Sequence, residues 1–360
     1  NLLNNGLNND WRIRTMHPAG DLKLSASIGR RWNIGDNKMG MIAALNYTNE
    51  YRKYDDMQNN MFGVYDEVND KSNPMHQYTD WQYNHNVRLG AMLNFTLLSP
   101  SGNNKYQFKN IFNQLGNDRY TWREGYTAQS YLQHSAEYYY RSRMTYNGQL
   151  TGRHAFPNDV IDWSASYSFA NRNVPDRRRY ALDNNNEDHE VEFSAANDMQ
   201  REWTKLDEHI MSLSVNEEHK FDFGEWSPSL KVGAYGEYRT RDYKTRNFIY
   251  SLADNGDNLP DGFEKMNMED LLSNSSYFGA DKLYLLEQVD MRNNYKGHNT
   301  LGAGFVAATL PFGKFSVYAG VRYEYNKMEL VTNTSLDKES PFSHFYKYND
   351  LFPSLNTTYQ

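Results

Sequence analysis

Residues 315–325 read Phe315, Ser316, Val317, Tyr318, Ala319, Gly320, Val321, Arg322, Tyr323, Glu324 and Tyr325. In an extended chain successive side chains point to opposite sides. Phe315, Val317, Ala319, Val321, Tyr323 and Tyr325 therefore share one face, and Ser316, Arg322 and Glu324 share the other. A face of small and branched apolar residues that ends in tyrosines suits a strand with lipid on one side and water on the other, since aromatic girdles mark the edges of such walls.

The same period recurs along the chain. Leu22, Leu24, Ala26 and Ile28 alternate with Lys23, Ser25 and Ser27, and Met39, Met41, Ala43, Leu45 and Tyr47 follow a turn at 35–37. Val87, Leu89, Ala91, Leu93 and Phe95 alternate with Arg88, Gly90, Met92 and Asn94. Ile161, Trp163, Ala165, Tyr167 and Phe169 alternate with Asp162, Ser164, Ser166 and Ser168. The pattern predicts about eleven antiparallel strands. It also predicts facing: Val87, Leu89, Ala91, Leu93, Trp163, Tyr167, Val317 and Val321 outward, with Lys23, Arg88, Ser164 and Glu324 inward. A one-residue slip of register would invert every one of these assignments.

Connections are expected to alternate between short and long. Short ones fall near 35–37, 99–104, 153–159, 221–226 and 311–314, with turn chemistry such as Ser99, Pro100, Ser101 and Gly102. Long ones are expected near 55–80, 121–129, 173–203, 249–296 and 332–349. Short turns on one rim and long loops on the other is the arrangement of outer-membrane barrels, with the long side facing the exterior.

Composition agrees with this and excludes much else. The 360 residues carry a net charge of −7, and 29 Tyr, 18 Phe and 7 Trp make the chain 15% aromatic. A disordered polar chain is poor in aromatics. The mean hydropathy of −0.89 does not oppose a membrane location, because a barrel strand shows lipid only every second residue. No apolar run approaches the roughly 20 residues of a membrane-crossing helix. Cysteine is absent, which removes disulfides, Cys-ligated zinc and thiol chemistry. An acidic chain without basic patches interleaved with aromatics does not suit nucleic acid.

Four segments in order resemble the barrel of TonB-dependent outer-membrane receptors, the large nutrient-uptake type. Gly20–Arg30 with Met39–Tyr47 resembles the first strands after the plug domain. Asn173, Val174, Pro175, Asp176, Arg177, Arg178 and Arg179 resemble the Pro-Asp-Arg-Arg stretch at the outer end of a strand. Gly320–Tyr325 resembles a mid-barrel Gly-x-Arg-Tyr-Glu strand, and Leu351–Asn356 the Pro-Ser-Leu-Asn start of the next. The resemblance covers nearly all of residues 1–360. It implies an all-β fold, an antiparallel transmembrane β-barrel segment that supplies about half of a wall of about 22 strands. It further implies residence in the bacterial outer membrane and TonB-dependent uptake of an iron chelate, glycan, peptide or vitamin. The partners implied are the lipid bilayer, the protein's own plug domain and remaining strands, periplasmic TonB reached through the plug, and a surface substrate-binding lipoprotein. The plug, the TonB-contacting box and the closing strands are not among these residues, and the chain is expected to be a piece of a longer one that does not close by itself.

Candidate functional residues are few. Arg177, Arg178 and Arg179 are placed by the spacing on a long loop beside Glu187, Asp188, Glu190 and Glu192. Guanidinium forks pair well with carboxylates and hydroxyls, so they are candidates for an anionic or polyhydroxylated substrate; a charge network that only orders the loop is the plainer reading. Arg322 and Glu324 share the lumen face of one strand, as plug-holding or lumen-solvating charges. Asn255, Asp257, Asp261 and Glu264 stand at positions three, five, nine and twelve of a calcium-loop spacing. Ala253 stands at position one, where an Asp is expected, and the alternative is an acidic, turn-rich loop tip. No His-Glu-x-x-His spacing, Gly-x-Ser-x-Gly elbow or phosphate loop is present. A passive porin, a barrel enzyme with a rim catalytic cluster, a complete small barrel and a soluble β-sandwich or propeller are the rival readings.

Overall fold

A computed structural model of the chain describes residues 7–185, 187–193 and 198–359. The strands are β1 (Leu22–Ile34), β2 (Asn37–Asp66), β3 (Lys71–Leu98), β4 (Asn104–Thr127), β5 (Leu132–Ala155) and β6 (Asp159–Asp183). They continue as β7 (Asp198–Lys220), β8 (Ser229–Leu252), β9 (Leu283–Gln288), β10 (Tyr295–Phe312), β11 (Phe315–Asn333) and β12 (Pro341–Tyr359). One short helix, α1 (Met268–Ser273), lies between β8 and β9. All twelve strands form one sheet, with β9 as an extra partner of β8 off the main path. Every pairing between these strands is antiparallel and follows chain order. The eleven strands of the main path match the number the period predicts.

Register joins the separate alternating segments into two surfaces. One row of directly paired residues runs Trp32, Met39, Leu97, Tyr106, Gly152, Trp163, Val215, Ala234, Gly304, Tyr323 and Leu351, through all eleven strands. The adjacent row, on the opposite face, runs Arg31, Gly40, Thr96, Gln107, Thr151, Ser164, Ser214, Tyr235, Ala303, Glu324 and Asp350. The first row has no charged residue and the second is largely polar. Val87, Leu89, Ala91, Leu93, Trp163, Tyr167, Val317 and Val321 all share the first face, and Lys23, Arg88, Ser164 and Glu324 the second. Toward the short-turn rim the apolar face is left open to its surroundings: on β7, Met211 is 57% exposed, Leu213 62% and Val215 47%.

Antiparallel order also sorts the connections. Those at 35–36, 99–103, 156–158, 221–228 and 313–314 lie on one rim, and those at 67–70, 128–131, 184–197, 253–294 and 334–340 on the other. Four of the expected long loops are shorter than the sequence indicates; that expected at 332–349 is confined to 334–340, because β12 starts at Pro341. Most of 55–80 is strand, because β2 runs to Asp66 and β3 starts at Lys71. Similarly, 121–129 is strand as far as Thr127, and 173–183 belongs to β6. The Asp and Asn residues that mark 55–80 as a loop sit instead on a largely exposed β2–β3 ribbon, where polar side chains carry little penalty; on β6 the 173–183 stretch is partly covered, with Tyr180 and Leu182 buried. Bulges between Tyr54 and Met57, and again near Phe62, bend the β2–β3 ribbon.

Candidate functional site

The outer ends of β5–β8 carry the densest side-chain structure, and it differs on the two faces. On the apolar face lies the core of the molecule: Tyr180, Met199 and Tyr250 from the strands, with Trp11, Leu271, Leu272 and Leu283 from the segments that fold over them. Trp11 packs edge-on against Tyr138 and Tyr250, at 5.6 and 6.1 Å between ring centroids. Its backbone is fixed at both ends, since its N–H donates to Ser273 Oγ at 2.9 Å and its carbonyl accepts from the Tyr138 hydroxyl at 2.7 Å. Helix α1 is short but capped: Asn267 Oδ1 accepts from the Glu269 N–H at 2.8 Å. Burial pushes the phenols of Tyr138 and Tyr180 above their ordinary range.

Arg201 is fully buried in this cap. Its Nε and one terminal nitrogen fork onto Asp176 at 2.7 and 2.5 Å, and its terminal nitrogens also reach the Asn8 carbonyl and Asn9 Oδ1 at 2.7 Å. Asp176 takes a left-handed φ of 57°. That residue lies in a bulge of β6, where register slips between Val174 and Arg177. Pro175 precedes it, and a proline inside a strand-like run is the sequence mark of such a bulge.

On the polar face of the same strands is a cleft of about 410 Å³ lined by Thr121, Arg123, Ser135, Glu137, Arg177 and Arg179, among others. Glu137 is its centre. It accepts from both Nε and a terminal nitrogen of Arg177, the former at 2.8 Å, and from Arg119 at 2.6 Å. Arg177 reaches on to Glu202 at 3.3 Å. Arg123 forks onto Asp80 at 2.7 and 2.8 Å. The network thus crosses β4, β5, β6 and β7 side by side. Burial works against the charge on Glu137, but the Arg177 and Arg119 guanidiniums outweigh it and hold its carboxyl below the ordinary glutamate range. A lowered folded value means that this stabilisation is complete above the unfolded value of about 4.3 and fades as pH falls through the folded one. Hydrogen exchange at the outer ends of β5 and β6 should therefore keep its protection from neutrality to about pH 5 and lose part of it below about pH 4. Glu137→Gln should abolish that acid dependence; an unchanged dependence would show that other groups control it.

The three consecutive arginines are therefore on strand β6 and not on a loop. Alternation sends Arg177 and Arg179 to the cleft and Arg178 to the opposite face. There Arg178 donates to the Asp10 carbonyl at 2.7 Å and lies 5.1 Å from the Trp11 ring centroid. Arg179 bonds Gln200. Of the acidic residues expected beside them, Glu190 instead pairs with Lys265 at 2.5 Å. Residues distant in sequence take those places beside Arg177, namely Glu137 and Glu202, while the adjacent Asp176 lies 3.7 Å from Arg178. The sequence offers a mark only for Asp176.

Arg322 and Glu324 lie on the polar face as expected, bonded to each other at 3.1–3.2 Å, and the Tyr348 hydroxyl of β12 donates to Glu324 at 2.8 Å. The residues with calcium spacing lie in the connection between β8 and β9. Asp254–Gly256 and Phe263–Lys265 are separate 3-10 turns, and the Asn255 side chain lies outside the described residues. Among the described residues no three of His, Asp or Glu gather in a group able to hold a metal ion.

No family model and no curated protein matches the sequence. Among solved structures, the siderophore receptor PiuA from Acinetobacter baumannii is similar with a TM-score of 0.47 and 12% sequence identity, over 96% of this chain and 48% of that chain. The chain thus spans about half the length of that receptor.

Proposed function

We propose that this chain is part of the wall of an outer-membrane β-barrel, and that the barrel is a TonB-dependent transporter for a nutrient. The observation that carries the reading is the pair of adjacent rows: apolar across eleven strands on one face, largely polar on the other. A soluble sheet with a free apolar face of this extent would aggregate, whereas a barrel wall needs it. Strand length agrees. A strand crosses a bilayer in about 9–11 residues, and β2–β8 have 23–30 each. Their outer halves then stand beyond the lipid, where the apolar face needs another cover; residues 7–14 and 259–283 supply one.

In this reading the polar face lines the lumen, and the Glu137–Arg177 cleft, on the long-loop side, is where an incoming solute is first held. A plug inside the lumen and TonB below it are the partners the reading requires, a surface lipoprotein is one it allows, and Arg322 and Glu324 on the polar face are its candidates for contact with the plug. Spin labels placed one at a time at positions 212, 213, 214 and 215 of the full-length protein in bilayers test it. Labels at 213 and 215 should relax with oxygen, and those at 212 and 214 with a water-soluble nickel chelate. Equal access of the chelate to all four would end the membrane-wall reading.

A further inference from the structure

Below the cleft, on the same polar face, Tyr139 is surrounded by guanidinium groups. Those of Arg119, Arg177 and Arg141 lie 4.8, 5.2 and 5.7 Å from its ring centroid. Arg172 donates to its hydroxyl at 3.2 Å. Arg143 is paired directly across the strands with Arg172. The bulge creates this convergence: pairing of β5 with β6 is interrupted between Tyr138 and Ser142, so Tyr139 and Arg141 face the slack chain that brings Arg172 and Arg177 in from either side. Among the described residues, the ion-pair partners of these five arginines are Glu137 and Glu202, and both lie on the cleft side.

Two features make this arrangement costly for the empty protein. Like charges placed directly opposite on paired strands repel, as Arg143 and Arg172 are. Among the described residues, the Nε atoms of Arg119, Arg141 and Arg172 are buried without a hydrogen-bond partner, and a buried unpaired donor of a charged group loses its solvation without return. Cation–π contact with one ring offsets part of that but accepts no hydrogen bond from an Nε–H. What would balance the remaining positive charge of these guanidiniums is an acceptor carrying more than one negative charge.

We propose that the arginines around Tyr139 form a binding site for a multiply charged anion, with phosphate or clustered carboxylate groups, on its way through the lumen. The inference deepens the transporter reading and rests on it for the words "through the lumen": it names the class of solute as polyanionic. Arg141 and Arg172 are its main donors, and Arg119 and Arg177, held by Glu137, form its outer wall. A free solute is favoured over a lipid headgroup because the residues stand on the polar face, opposite the one that meets lipid.

The test is calorimetric titration of the full-length protein in detergent with inorganic pyrophosphate, at ionic strength fixed with chloride. Saturable binding is expected, weakened at least about tenfold by Arg141→Gln or Arg172→Gln, since each removes charge-assisted hydrogen bonds. Arg153→Gln, near the opposite rim, should leave it unchanged. A second readout separates a binding role from a structural one. Arg172→Gln relieves repulsion, so it should raise the melting temperature in anion-free buffer while abolishing the stabilisation that pyrophosphate gives the unaltered protein. No binding beyond that of chloride, equal binding in the variants, or a lowered melting temperature in Arg172→Gln would overturn the site. Phospholipid that co-purifies with the unaltered protein and is lost in Arg172→Gln would overturn the assignment to a free solute. Failure here, with spin labels still alternating, sinks the anion site alone; binding with no alternation sinks the membrane reading alone.

Discussion

Replacing Arg201 by Met should release residues 7–14 from the sheet and cost about 3–5 kcal/mol, the range for removing one member of a buried charge pair. The side chain has no solvent exposure, and Asp176 is only 20% exposed. Without the guanidinium, Asp176 keeps Arg178 at 3.7 Å as its remaining cation, and the Asn8 carbonyl and Asn9 Oδ1 lose donors inside the cap. Arg201→Lys should recover little, because an ammonium cannot form the two-pronged contact. Tryptic cleavage at Arg12 and Arg14 measures the release: it should be much faster in the variant. Equal rates, with unchanged hydrogen exchange at the outer end of β7, would mean that Trp11 alone holds the cap.

The second large effect is expected at Leu213. It stands on the apolar face of β7 at 62% exposure, in the stretch where the reading places lipid. Leu213→Arg should destabilise the protein in bilayers by about 2–4 kcal/mol, the cost of an arginine near the midplane of a barrel wall. Ser214→Arg, one residue along and facing the polar side, should cost little. The measurement is the urea midpoint of folding into lipid vesicles for the two variants. Were the order reversed, the two faces would have been assigned the wrong way round.

The two-faced sheet was legible in the sequence because it rests on covalent geometry. Side chains of an extended chain alternate whatever their neighbours do, so Phe315, Val317, Ala319 and Val321 had to share a face. Burial of one such face leaves a single register open to each strand. The rows then join at Trp32, Met39, Leu97 and Tyr106 without a mismatch. Strand ends were less legible. On an exposed ribbon polar residues fit strand and loop alike, so composition at 55–80 could not tell them apart.

The sites followed a different logic. Sequence determined that three arginines stand together at 177–179 and placed them on a loop; the bulge at Pro175 and Asp176 came from the strand register. Tertiary structure decided what each one does. Alternation turned Arg178 away from Arg177 and Arg179, and strand pairing supplied Glu137 from 40 residues upstream and Glu202 from 25 downstream. The cap needed longer reach still, with Ser273 meeting Trp11 across 262 residues. A periodic pattern is a property of neighbouring residues and can be read along the chain. An ion pair or a packed ring depends on which strands lie side by side and at what register, and that is decided only when the whole sheet assembles.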